Sequence, residues 1–224
     1  MANDPESCYP YFTTRIALTV ESIISAKQST AWGTFFDKWK HDELVRILLE
    51  NTSTEIMAIL NHVNPPSFDD LCSQSWEETK DLSVYGKLIF DPTIINPSTD
   101  RHWLYVGSAT SRDGGLSKRK RGHLYPSPLH QDSFHMRLVF GPITRQQSFI
   151  TLFRMKDADL DSDQGLMLAR KICLFSEAVY ASYLGAYSMM VDVNMKYTCV
   201  FGNLDKVFSW YGAFIFICWK GSGS

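Results

Sequence analysis

Apolar residues early in the chain return every three or four positions: Ile16, Val20, Ile23 and Ile24, then Leu44, Ile47 and Leu48, then Ile56, Ile59 and Leu60. That spacing lines one face of a helix. Asn51 and Ser53 stand between the last two groups; such residues favour turns and caps, so they separate two helices. Asn64-Pro65-Pro66-Ser67 breaks the pattern, and residues 67–82 leave room for one more short helix. The spacing therefore predicts a helical N-terminal region over residues 1–82.

The pattern then changes to strands. Val84, Tyr85, Leu88, Ile89 and Phe90 form a β-rich run, and His102 to Gly107 forms a second. Asp91-Pro92 and Asn96-Pro97-Ser98 mark a long loop between them, so the two runs pair as an irregular hairpin. Gly114-Gly115 precedes a helix from Leu116 to about Leu124, which Pro126 and Pro128 stop. Strands are expected over His135 to Phe140 and Phe149 to Met155, and a long helix over residues 163–189. Helices followed by strands and further helices make an α+β fold. Asp157, Asp159, Asp161 and Asp163 lack the glycine and final glutamate of a calcium-binding EF-hand loop, and read as a solvated turn.

Composition narrows the function classes. The 224 residues carry a formal net charge of −2, so bulk charge does not draw this chain to polyanions and a local patch must do so. Five cysteines (Cys8, Cys72, Cys173, Cys199 and Cys218) stand far apart and in odd number, without a zinc-ribbon spacing. They fit reduced thiols, mostly small core residues, in a nuclear or cytoplasmic protein. MANDPESCYP lacks the basic and apolar regions of a signal peptide, so a secreted protein is not expected. The apolar run over 213–219 is too short to span a bilayer, so no membrane association is expected either. Gly221-Ser222-Gly223-Ser224 reads as an expression scar and is set aside from the fold.

Four features bear chemistry. Lys118, Arg119, Lys120, Arg121 and His123 concentrate cations on the helix that follows Gly114-Gly115. Arg119 and His123 are four apart and share a helix face. A glycine pair admits close approach of a ligand, and a helix N-terminus favours phosphate. The same run also fits a solvated basic face or a nuclear-import signal. Tyr85 and Tyr105 lie on adjacent strands, where tyrosine is commonly a packing partner. Glu177 is a lone carboxylate in KICLFSEAVYASYLGAY, a helix apolar nearly all round, where a buried charge needs a salt bridge or a metal. His123, His130 and His135 match no compact zinc spacing and read as surface or capping residues.

Taken in order, these residues resemble the GIY-YIG endonuclease superfamily. The first motif stands as Ser83-Val84-Tyr85, with Ser and Val where the pattern has Gly and Ile. The second stands as Tyr105-Val106-Gly107 followed by Ser108, and the helix motif as Leu116-x-x-Arg119-x-x-x-His123. Glu177 is the best match to the family's glutamate, and Asn194 to the asparagine that often follows it. The resemblance covers about residues 83–190, and residues 83–220 form the second unit of the chain. Both the loop between the tyrosine motifs and the stretch from His123 to Glu177 are longer than in minimal members.

The resemblance implies a small, mainly antiparallel β-sheet flanked by helices, and metal-dependent hydrolysis of phosphodiester bonds in DNA. Glu177 would then hold one Mg²⁺ or Mn²⁺, Arg119 would clamp the phosphate, and Tyr85 would act as general base. Tyr105 and His123 would orient water and phosphate, while Lys118, Lys120, Arg121, Gly107 and Ser108 would contact nucleic acid. The alternative is an inactive domain of the same fold that binds nucleic acid or a protein partner. Oligomeric state, sequence specificity and the role of residues 1–82 are open at this level.

Overall fold

The computed structural model describes residues 8–26, 29–64, 66–90, 102–127, 134–141, 145–156, 158–184 and 186. Outside these residues lie Asn96-Pro97-Ser98, Pro128, His130, Asp157, Asn194, Cys199, Cys218, the 213–219 run and the terminal Gly-Ser tail, together with the His135 side chain.

Five helices open the fold: α1 (Pro10–Ser25), α2 (Thr30–Lys38), α3 (His41–Glu50), α4 (Thr54–Leu60) and α5 (Phe68–Cys72). Pro10 suits the first turn of α1, where its missing N–H costs nothing. Ser53 caps α4 by accepting from the Ile56 N–H at 3.3 Å, so the break expected between Asn51 and Ser53 is present. Ser67 and Asp70 cap α5 reciprocally, at 3.0 and 2.8 Å. This last helix takes up only the start of the 67–82 stretch; residues 73–82 run on as an irregular strap.

Strands β1 (Ser83–Phe90) and β2 (His102–Ala109) follow, then helix α6 (Gly115–Leu124), helix α7 (Phe134–Phe140), strand β3 (Gln146–Arg154) and helix α8 (Asp163–Tyr183). The sheet has three strands in the order β2-β1-β3, and both pairings are antiparallel. The α+β class is therefore present.

Two expectations need correction. Residues 134–140 are a helix, not a strand: Met136 and Val139 are buried while Arg137 and Phe140 are exposed, a spacing of three rather than two. The long helix ends at Tyr183 rather than near 189, where Leu184 leaves helical geometry and its N–H closes on the Tyr180 carbonyl at 2.9 Å.

The sheet has two covered faces. Val84, Leu88, Leu104, Val106, Ile150 and Leu152 point into the main core. There α8 lies on the sheet, α1 and α2 lie on α8, and α5 meets β3 directly, so all share one apolar cluster. Phe175 on α8 meets Phe35 and Phe36 of α2 at ring separations of 6.1 and 5.8 Å. Tyr183 meets Phe12 at 5.7 Å and donates its hydroxyl to the Leu60 carbonyl at 2.7 Å. Thr52, between α3 and α4, hydrogen-bonds the Tyr180 hydroxyl. Each of these buried phenols has found the partner that burial requires. The opposite face holds a smaller cluster of Tyr85, Tyr105, Ala109, Leu116 and Phe149, with Trp76 of the strap against it.

Among the described residues Cys8, Cys72 and Cys173 are free thiols; Cys173 is buried as expected, whereas Cys8 is exposed. No described helix is long and apolar enough to cross a membrane.

Because Phe35 and Phe36 of α2 both pack on Phe175 of α8, which lies on the sheet, Phe175→Ala should loosen the helical region and the sheet at once. A loss of about 3–5 kcal/mol is expected, in a single urea transition followed by far-UV and near-UV signals together. Two separated transitions would show the helical region and the sheet to be independent.

Candidate active site

Alternation along β1 puts Tyr85 and Lys87 on one face. In the register, Lys87 faces Tyr105 on β2 and Phe149 on β3, and Tyr85 faces Gly107 and Thr151. A β-bulge between Val84 and Tyr85 inserts Leu152 into β3 beside the tyrosine. Both motif tyrosines thus share a sheet face, with ring centroids 5.9 Å apart.

Helix α6 lies across this face. Leu116 and His123, seven apart, are both buried there, and Arg119 stands between them. The start of α6 is fixed by the strap rather than left open. Gly115 has φ +41°, and a Cβ on it would come within 2.1 Å of the Lys80 carbonyl oxygen. The Ser117 N–H donates to the Thr79 carbonyl at 3.1 Å, as does the Ser117 hydroxyl. Arg154 on β3 in turn grips the strap through Glu77 at 2.8 Å and through Asp81. The close approach allowed by Gly114-Gly115 is therefore made by the chain itself, and the helix N-terminus is not a free phosphate seat.

The side chains meet at the Tyr85 hydroxyl. Arg119 Nε donates to it at 3.0 Å, and the same oxygen lies 2.5 Å from His123 Nε2. Guanidinium can only donate. That contact occupies one lone pair of the Tyr85 oxygen, and in the hydrogen bond with His123 Nε2 either group can be the donor. Arg119 Nη2 also reaches the Tyr105 hydroxyl at 3.5 Å. The His123 ring packs against Tyr85, Tyr105 and Phe149 at 5.5, 5.7 and 5.9 Å. Tyr85 is 0 % exposed and Tyr105 4 %, whereas Arg119 remains open to solvent at the rim. Burial raises both phenol pKa values, and the Arg119 charge works against that rise.

Gly107 and Ser108 take positional roles. A Cβ on Gly107 would stand 2.5 Å from the Tyr105 hydroxyl oxygen, so the Tyr105 ring lies folded over this glycine. Ser108 points to the other face, where Glu177 of α8 approaches the edge strand β2. Burial lifts the Glu177 pKa, while the Ser108 hydroxyl and N–H and the Arg119 charge pull it down. Glu177 is 8 % exposed and has no ion pair within 4 Å among the described residues. Its nearest cationic influence is the Arg119 of this cluster and not a remote arginine. Among the described residues no three His, Cys, Asp or Glu gather as a metal cage. A single carboxylate with a hydroxyl beside it still fits a hard cation that keeps most of its water.

The basic run divides. Lys120 pairs with Glu78 of the strap at 3.0 Å and lies 5.0 Å over the Trp76 ring. Lys118 and Arg121 are exposed, and Lys118 reaches the Ser111 hydroxyl at 3.4 Å.

Lys87 was not singled out by the sequence, although its place two residues after Tyr85 puts it on the tyrosine face. Its side chain is 0 % exposed, with its Nζ 3.8 Å from the Met136 sulfur of α7. Burial, aided by the Arg119 charge, lowers its pKa to about 7.

No family model, no curated protein and no solved structure matches this chain.

The Lys87 shift has a definite sign. The unfolded chain binds a proton that the folded one releases between pH about 7 and the ordinary lysine value of 10.5, so stability rises with pH across that window. Urea midpoints should climb from pH 7 to pH 10 in wild type and lose that slope in Lys87→Met. An equal slope in both would place the amine in water. Separately, Gly107→Ala should displace the Tyr105 ring and destabilise the protein by about 1–3 kcal/mol, readable as a changed tyrosine near-UV signal; an unchanged signal and midpoint would contradict this packing.

Proposed function

We propose that this protein is a metal-dependent phosphodiesterase of the GIY-YIG type acting on DNA. One observation carries the reading: Tyr85, Tyr105, Arg119 and His123 form one hydrogen-bonded and ring-packed cluster, and Glu177 comes to its edge. A purely structural core gains little from assembling a guanidinium, an imidazole and a carboxylate around two phenols.

The chain's own groups divide the work. Arg119 sits at the solvent rim and would take the non-bridging oxygens of a phosphate with its fork. Turning to the phosphate, it would release the Tyr85 hydroxyl that it now covers. Tyr85 is hydrogen-bonded to His123 Nε2, so a neutral imidazole there would take the phenol proton as the phenol takes one from an attacking water. Burial opposes a free phenolate, and the guanidinium charge offsets part of that cost. Tyr105 would hold Arg119 from the other side. Glu177 and Ser108 are the residues that would hold Mg²⁺ or Mn²⁺, which when bound would stabilise charge on the scissile phosphate.

The second reading, a nucleic-acid-binding domain without catalysis, is favoured by the complete burial of Tyr85. A nuclear or cytoplasmic location accords with either reading.

Supercoiled plasmid incubated with Mg²⁺ separates the two. Wild type should nick it, chelator should stop the reaction, and Arg119→Ala or Glu177→Ala should each lower the rate about 100-fold or more. Nicking that survives both substitutions would remove these residues from the chemistry; binding without nicking by wild type would favour the second reading.

A further inference from the structure

Helix α6 has a second face that the proposed chemistry leaves unused. At about 100° per residue, Leu116 and His123 point to the sheet, while Lys118, Arg121 and Tyr125 point away from it. Gly122 lies on the helix surface between Arg119 and that outer stripe. Three observations on this stripe belong together.

Gly122 weakens a helix at an interior position. Packing does not require it, since a Cβ there would meet nothing within 4 Å. The bare backbone thus serves no neighbour among the described residues. Tyr125, next along the stripe, is 79 % exposed although it is a large aromatic residue. It is not a loose end, for its N–H closes on the Arg121 carbonyl at 2.8 Å and holds it at the helix terminus. Finally, α6 contains no acidic residue, and neither Lys118 nor Arg121 has an ion pair among the described residues, unlike Lys120.

From this juxtaposition we infer that the outer face of α6 is a seat for a single DNA strand leading away from the phosphate at Arg119, with Lys118 and Arg121 on its phosphates, Gly122 giving it clearance and Tyr125 stacking on an unpaired base. The inference rests on the proposed function and names its substrate class. Charge complementarity selects a polyanion. The exposed ring selects a strand whose bases are free to stack, because a base inside a duplex already has both faces covered. A sugar-phosphate chain crossing from Arg119 to Tyr125 must pass over residue 122, where a side chain would stand in its way.

Binding of labelled oligothymidine and of a duplex of equal length, measured with the full chain in chelator, tests the seat without any cleavage. Tyr125→Ala should weaken the single strand about tenfold and leave the duplex nearly unchanged, and Tyr125→Phe should restore wild-type binding. Gly122→Ala should raise Tm by about 2–4 °C and yet weaken the single strand. Unchanged single-strand binding in both Tyr125→Ala and Gly122→Ala overturns the seat, as does duplex binding that is tighter and equally sensitive to Tyr125. The two proposals fail separately. Mg²⁺-dependent cleavage with unaltered binding by Tyr125→Ala removes the seat alone; Tyr125-dependent binding by a wild type that cuts neither plasmid nor the single-stranded oligonucleotide in Mg²⁺ removes the nuclease alone.

Discussion

A guanidinium can donate hydrogen bonds and cannot accept them, and that constraint orders the tyrosine face of the sheet. Arg119 Nε donates to the Tyr85 hydroxyl, and the same hydroxyl hydrogen-bonds His123 Nε2. The same guanidinium reaches Tyr105, whose ring lies over a position that only glycine leaves open. Removing Arg119 would therefore leave two buried phenols without their cationic donor. The strap supports this arrangement from behind, because Arg154 holds residues 77–81 and those residues hold the start of α6.

The second contributor arrives from the other layer. Helix α8 packs on the opposite face of the sheet, yet β2 is an edge strand, and Ser108 turns toward Glu177 at that edge. The glutamate is thus held in the main core while its charge is felt by Arg119 and Tyr105 across the strand. Helix α8 also packs against α1 and α2, while Phe68 of α5 meets Phe90 and the Arg154 N–H donates to the Asn51 carbonyl directly, so the helix that carries Glu177 shares one core with both parts of the chain. Stability and the candidate chemistry share one element.

Much of this was legible because punctuation and pattern agreed. The Gly114-Gly115 pair and Pro126 bracket α6, the helical repeats mark α1, α3 and α4, and a carboxylate in an apolar helix marked Glu177. Where local signals conflicted, the reading failed. HMRLVF has strand-forming side chains, but its burial repeats every three residues, and tertiary packing made it a helix. Gly107, expected to contact nucleic acid, lies under the Tyr105 ring, and Gly115, of the pair expected to admit a ligand, meets the Lys80 carbonyl. Close backbone approach is written in the sequence, but its partner is not. Lys87 escaped notice because a lysine in a strand normally faces water, whereas here Met136 of α7 lies against its Nζ.

A double-mutant cycle on Tyr85→Phe and Arg119→Lys, read by urea unfolding, tests the central contact most directly. If the guanidinium and the phenol act as one unit, the double variant loses less than the sum of the single ones, with a coupling of about 1–3 kcal/mol. Losses that add within about 0.5 kcal/mol would mean that the two groups are merely near each other, and the site built on them would lose its foundation.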